Sequence, residues 1–498
     1  MIRSLLIALA LLGATAAWTE PRGTFRHAHN VGFGAQSSLD PASNGRVLQI
    51  IEKIQSRLVR PGRDGTPSPD LATAWQPNAD GTVWTFHIRE GVRFHDGSAL
   101  DAGDVVYSLK RVIDPDYGSP ARAAVKMVKA VEATGPHTVR MALTSTFADF
   151  PLQLMDPRLR IIPAGSGETV GQTGIGTGPF RVGKFDPDGI TVLTAYEDYY
   201  EGPPRLDRIE VIGVPDAQAR LQAFLSGQLD MERGIAPVLR RALDKSLRYQ
   251  LLEIPTGNWM GLVFRTDYAP FDDVRVRRAL RMVVDREEML GLALDGGGVP
   301  SCDTPVAPND QYRVRMDCPP DPDGARALLA EAGYPDGIDI EINVSPLDPS
   351  WPVLGVAFQE QAAAAGIRVE LVNASADGYW SNVWMKKPAF ATSWGARPAD
   401  QVLNEAFHSS AKWNESHYSD PEFDRLLETA RAELDFDKRR ALYVEAQEHL
   451  ARTSGTLIPF HVTQLVVLSN RVTHFDPVQN DALRWHLVSV VDSRGGSA

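Results

Sequence analysis

The sequence predicts an α/β protein of more than one domain, and three observations predict it. Strand-like and helix-like stretches alternate along the chain, which is the rhythm of α/β layering. Its 498 residues exceed what a single hydrophobic core holds. An apolar content of 43% is ordinary for a packed globular chain.

The elements follow in order. Residues 71–97, LATAWQPNADGTVWTFHIREGVRFHDG, read as a β-hairpin: Ala72 to Trp75 lead into an Asn78–Asp80–Gly81 turn, and Val83, Trp84, Phe86 and Ile88 form the returning strand. Ile209 to Val214 is a strand and Asp216 to Leu225 a helix with Ala and Leu spaced for one face. Asp272 to Leu294 reads as one long amphipathic helix capped by Asp272 or Asp273. Asp321 to Ala332 is a helix closed by Gly333, Ile338 to Val344 a strand, Trp351 to Ala365 a helix closed by Gly366, and Ile367 to Val372 a strand. Two helices, Pro421 to Thr429 and Asp437 to Thr453, precede short strands Leu457 to Phe460 and Leu465 to Leu468. There is no tandem repeat.

A net charge of −12, from 51 basic and 63 acidic residues, argues against nonspecific nucleic-acid binding. Residues 1–17 have the form of a secretion signal, with Arg3, an apolar Leu5 to Leu12 and the small residues Ala14–Thr15–Ala16. No cysteine lies near the cleavage site, so the expectation is a periplasmic protein without a lipid anchor. Cys302 and Cys318 are the only cysteines and read as a structural disulfide in an oxidising compartment. Pro300, Pro305, Pro308, Pro319, Pro320 and Pro322 mark their loop as non-helical. The HExxH, GxSxG and P-loop patterns do not occur. Gly174, Gly176 and Gly178 form a GxGxG string, but Pro179 follows and the strand–turn–helix context of a nucleotide site is missing. The histidines show no metal-ligand spacing. The reading is therefore no enzyme, no cofactor and no metal.

Residue order is more specific than periodicity. The 71–97 stretch, Ser98 to Leu109, Gly176–Thr177–Gly178–Pro179–Phe180, Tyr196 to Pro203, Leu206 to Ile209, Ala223 to Asp230 and Pro270 to Leu280 resemble, block by block, the family 5 solute-binding proteins of ABC importers. That is the dipeptide-, oligopeptide- and nickel-binding group. The blocks keep the family's order from about residue 40 to about residue 465. The resemblance implies a fold like the type II periplasmic binding proteins, with two lobes joined by a hinge that the chain crosses twice. Lobe I would comprise 18–260 plus 470–498, with a peripheral subdomain at about 46–180, and lobe II 261–469. It also implies a monomer that captures a peptide or peptide-like small molecule by hinge closure and delivers it to ABC permease subunits. The alternatives are a non-peptide ligand (oligosaccharide, opine-like conjugate or nickel chelate) and, from another class, a secreted hydrolase.

Candidate ligand residues lie first in 390–417, where an apolar strand end leads through Trp394 to Arg397 and Asp400. In peptide-binding members an Asp in a "W.....DP" segment holds the ligand's α-ammonium, and Asp400 is the nearest match. This chain departs from the pattern, with ARPADQV in place of Asp-Pro-Asp. Arg397 presents a planar fork suited to a carboxylate, or pairs with Asp400 to pin the loop. Asn258 and Trp259 fall where the resemblance places the cleft, as ligand contacts or as hinge packing. Tyr379 and Trp380 are cleft aromatics or, with Val383 and Trp384, core. Asn30 and Phe33, at the end of the first strand, complete the set.

Overall fold

A computed structural model describes residues 23–29, 37–43, 47–62, 64–186, 189–244, 248–476 and 483–491. The expected signal segment, Asn30 and Phe33 lie outside them. The architecture is mixed α/β, organised on one eleven-stranded sheet. From one edge its strands run Ile367–Asn373, Ile338–Val344, Ala389–Trp394, Tyr249–Phe264, Thr456–Ser469, Met231–Arg233, Thr24–His29, Arg208–Gly213, Ile190–Ala195 and Phe180–Lys184, with Gly298–Pro300 added beside Thr456–Ser469.

The central pair is long and antiparallel, running from Tyr249↔Ser469 to Val263↔Thr456. Its two ends serve different cores. Met260, Leu262, Val263 and Phe264 pack with the helices Val274–Met282 and Ser350–Ala363. Val466 and Leu468 pack with Phe25, Ile209, Val211 and Trp485. This strand pair therefore joins two lobes. The short strands expected at 457–460 and 465–468 are one strand. The intervening His461–Thr463–Gln464 polarity interrupts the apolar run, but the ladder with Tyr249–Phe264 continues across it.

The helix expected over 272–294 is two helices, Val274–Met282 and Arg286–Leu294. Asp273 caps the first through Arg275 N–H, and Asp285 caps the second through Glu288 N–H. Gln361 fixes the break by exchanging hydrogen bonds with both backbone groups of Asp285 (3.1 and 3.2 Å). A satisfied turn thus replaces a continuous helical ladder. Elsewhere the expected starts and stops are met: Asp216 caps Ala217–Leu225, Asp321 caps Pro322–Glu331, and Gly333 and Gly366 take positive φ just beyond their helices.

The 71–97 hairpin opens a separate antiparallel sheet, Ala72–Pro77, Val83–Ile88, Thr138–Leu143 and Val128–Gly135. Alternation buries Trp84, Phe86 and Ile88 in a core of its own. Helix Ala102–Ile113, started by a reciprocal Asp101–Asp104 capping box, covers it. This peripheral unit touches lobe II. The Tyr312 hydroxyl donates to Asp149 (2.8 Å), and the Arg439 guanidinium lies 3.2 Å from the same carboxylate. Burial pushes Asp149 up to about 7 despite that cation. Cys302 and Cys318 are bonded, with Cα atoms 5.8 Å apart.

Candidate functional site

The Tyr249–Phe264 strand slips register against its partner between Pro255 and Trp259, and this bulge organises the site. It turns the Asn258 side chain outward, where its carbonyl oxygen accepts from Ala396 N–H at 2.7 Å. Thr256 Oγ1 closes the bulge by donating to the Val462 carbonyl (2.6 Å) and accepting from Asn258 N–H (3.1 Å). Gly257 lets two other segments approach: a Cβ there would meet the Ala307 Cβ at 2.9 Å and the Ala396 Cβ at 3.0 Å. Beyond the bulge, Trp259 is register partner of Trp394 and stacks on it. Trp259 is 1% exposed, and its Nε1 has no hydrogen-bond partner among the described residues.

Trp394 ends its strand under Arg397, whose guanidinium lies 5.1 Å from the Trp394 ring. Arg397 pairs with Glu405 (2.9 Å) and donates to the Gly395 carbonyl; its partner is not Asp400. Asp400 sits in the first turn of helix Ala399–Ala406, 2% exposed, and is enclosed by other donors. It accepts from Arg431 Nε (3.0 Å) and a second Arg431 nitrogen (2.8 Å), from the Tyr443 hydroxyl (2.8 Å) and from Asn404 (3.1 Å). Asp310 caps the same helix from outside by accepting Ala399 N–H (3.0 Å), and burial pushes its carboxyl up to about 6.

Along this segment runs a cavity of about 790 Å³ between lobe II and the peripheral unit. Asp400, Glu405, His408, Lys412, Trp413 and Arg431 line one side; Lys126, Met127, Phe147 and Gln153 line the other. Trp413 is 43% exposed and stands edge-on to Trp394, 6.2 Å away. Lys126 and Lys412 make no ion pair or hydrogen bond with any described residue. With Asp400 matched to Arg431 and Glu405 to Arg397, the cavity's uncompensated charge is positive.

The structure brings Asn258, Trp259, Trp394, Arg397 and Asp400 into one neighbourhood. It does not bring Tyr379 there: that side chain is buried in lobe II, its hydroxyl donating to the Ala391 carbonyl at 2.7 Å. Trp380 is half exposed against Trp351 and Trp384. One group the sequence gives no sign of is Glu415. Its buried carboxylate accepts from Trp384 Nε1 (2.5 Å) and Thr392 Oγ1 (3.0 Å) and also bonds Trp394. Burial raises it to about 7.

Two lobes on a shared strand pair, with an aromatic and cationic cavity between lobe II and the peripheral unit, are the build of a solute-binding protein. The chain matches the model of the bacterial extracellular solute-binding proteins, family 5, over residues 66–414, and belongs to that family. Its role is that of the substrate-binding component of an ABC importer. It is 29% identical to heme-binding protein A of Haemophilus influenzae, with 84% of each chain covered. It is 28% identical to the glutathione-binding protein GsiB of Pectobacterium atrosepticum, covering 83% of this chain and 84% of the relative. Among solved structures it matches HbpA2 from Haemophilus parasuis with a TM-score of 0.84 at 25% identity, covering 94% of this chain and all of that one. MppA, a murein tripeptide binding protein in its unliganded open form, matches with a TM-score of 0.84 at 21% identity, covering 95% of this chain and 98% of that one. Among the described residues no helix is long and apolar enough to cross a membrane.

Proposed function

We propose that this chain captures an anionic, peptide-like solute in the cavity between lobe II and the peripheral unit and passes it to a permease by hinge closure. The observation that carries this reading is the charge balance. Lys126 and Lys412 have no partner among the described residues and lie beside Trp413 and Phe147, while Asp400 is already saturated by Arg431 and Tyr443. A ligand ammonium finds no open carboxylate there. A ligand carboxylate finds two ammonium groups and, a step away, the Arg397 fork. The peptide- and glutathione-binding relatives support the class, since glutathione is a tripeptide with two carboxylates.

In this reading Asn258, Trp259 and Trp394 position the 395–400 loop, Arg397 and Trp413 meet the ligand, and no bond is made or broken. Lobe I (18–260 plus 470–498) and lobe II (261–469) move as bodies on the long strand pair. Separate cores support two bodies but put the second crossover inside strand Thr456–Ser469, since Leu457 and Phe460 lie in one core and Val466 and Leu468 in the other. Residues 1–17 direct export to the periplasm, where the Cys302–Cys318 bridge forms and the monomer meets its permease subunits.

The test is a thermal-shift panel on ligand-free protein with glutathione, acidic, neutral and basic peptides, heme, an oligosaccharide and a nickel–histidine chelate. At 100-fold excess over Kd a specific ligand stabilises by about 2.7 kcal/mol, a shift of a few degrees. Glutathione or acidic peptides are expected to shift the transition. A shift with basic peptides, sugar or nickel chelate alone overturns the reading.

A further inference from the structure

A second cavity, of about 550 Å³, opens in lobe II beside the disulfide and shares no lining residue with the cleft cavity. Arg278, Arg281, Arg286, Arg315 and Arg452 line it, against only three carboxylates, Asp303, Asp317 and Glu448. In a chain of net charge −12 this excess of arginine is local and concentrated.

Two of the five are committed to the fold. Arg286 is ion-paired with Asp303 at 2.7 Å, both side chains nearly buried. Arg281 donates to the Ser454 carbonyl (2.6 and 2.8 Å), capping the end of helix Phe436–Thr453. Burial, reinforced by the cations of Arg277 and Arg286, lowers Arg281 to about 10. The remaining three, Arg278, Arg315 and Arg452, form no ion pair or hydrogen bond with any described residue. They reach the cavity from three segments: helix Val274–Met282, the disulfide loop and helix Phe436–Thr453. Met282, Met316, the disulfide and Pro319 supply apolar wall between them.

From this convergence we infer that lobe II carries a binding site for a small multivalent oxyanion, separate from the transport cleft. One carboxylate would occupy one guanidinium fork; three open forks from three segments suit a ligand with several anionic oxygens, phosphate or carboxylate. The volume is that of a small-molecule pocket, and the methionine and proline walls accommodate a carbon skeleton. Asp317 and Glu448 at the same cavity discriminate against anions that do not engage the arginines directly.

The experiment is isothermal titration calorimetry on the full chain with pyrophosphate and with citrate, in buffer of matched ionic strength. Saturable binding of one or both at one site is expected, and the tighter of the two assigns the site to phosphate or to carboxylate chemistry. Arg315→Gln/Arg452→Gln, both at exposed positions, is expected to weaken it at least tenfold. An unchanged melting temperature and far-UV spectrum show that the variant is folded, and Arg315→Lys/Arg452→Lys, which keeps charge without the fork, is expected to bind between the two. Absence of saturable heat with either anion, or equal affinity in the folded double Gln variant, overturns the inference.

Discussion

Trp259 and Trp394 lie face to face across the seam between two central strands, their ring planes 8° apart and centroids 6.0 Å apart. They are also register partners, so the stack is built into the sheet itself. Its outer face carries Arg397 and the edge of Trp413, which makes the pair the floor on which the 395–400 loop rests. Trp259→Ala removes a fully buried ring and is expected to cost about 3–5 kcal/mol in urea denaturation, with ligand affinity falling in the protein that remains folded. A loss under 1 kcal/mol would show that the stack does not support the loop.

Gly257 gives a sharper test of loop position. Alanine there adds a Cβ within 3.0 Å of two others, neither the end of a flexible chain, so the 394–400 segment or the Ala307 segment must shift. Gly257→Ala is expected to lose about 1–3 kcal/mol and at least tenfold in ligand affinity. Unchanged affinity would place the ligand away from this bulge.

Asp400 separates a structural from a ligand-binding role. Asp400→Asn weakens the bonds to Arg431 and Tyr443. Because the Arg431 side chain is 38% exposed, the loss is expected near the low end for a broken buried pair, about 1–3 kcal/mol. The melting temperature should fall. If it is unchanged while affinity collapses, Asp400 holds ligand directly.

Glu415 makes stability depend on pH in a stated direction. Its folded value of about 7 lies above the ordinary 4.5, so between those limits the folded state holds a proton that the unfolded state has lost. Its contribution is therefore full below pH 4.5 and declines through the window, by up to about 1.4 kcal/mol per pH unit, to a minimum above pH 7. Glu415→Gln should abolish that slope: the stability of wild type relative to the variant falls from pH 5 to pH 7.5 and then levels. Parallel curves would assign the slope elsewhere, Asp149 being the other carboxyl pushed to about 7.

Reduction of Cys302–Cys318 is expected to cost about 3 kcal/mol, from the unfolded-state freedom restored to the loop. Melting with and without dithiothreitol measures it, and Cys302→Ser/Cys318→Ser should melt where the reduced protein does.

What was legible in the sequence is what local chemistry dictates. The 71–97 hairpin follows from alternation and turn residues. The helix starts at Asp216, Asp273 and Asp321 follow from side chains that outcompete the backbone for orphan N–H groups. The break at Asp285 was hidden because the apolar spacing runs through it and the residue that stabilises it, Gln361, is remote in sequence. The candidate site divides the same way. The 394–400 segment stood out by its own composition. Its partners Asp310, Arg431 and Tyr443 reach it only through the fold, so the sequence could not tell that Asp400 is occupied or that Arg397 turns to Glu405. Tyr379 was ambiguous because an aromatic at helical spacing serves a core and a cleft equally well.

The buried contact of Asp149 with Tyr312 and Arg439 changes how closure must be pictured. The peripheral unit has its own sheet and core, yet here it is braced against lobe II through Tyr312 and Arg439. The molecule is thus fastened at two places, like a hinged frame with a strut across its mouth. Rotation about the strands has to load or release that strut. The resting angle between the lobes, and the free energy a ligand must supply to change it, are therefore set partly by three side chains the ligand need never touch.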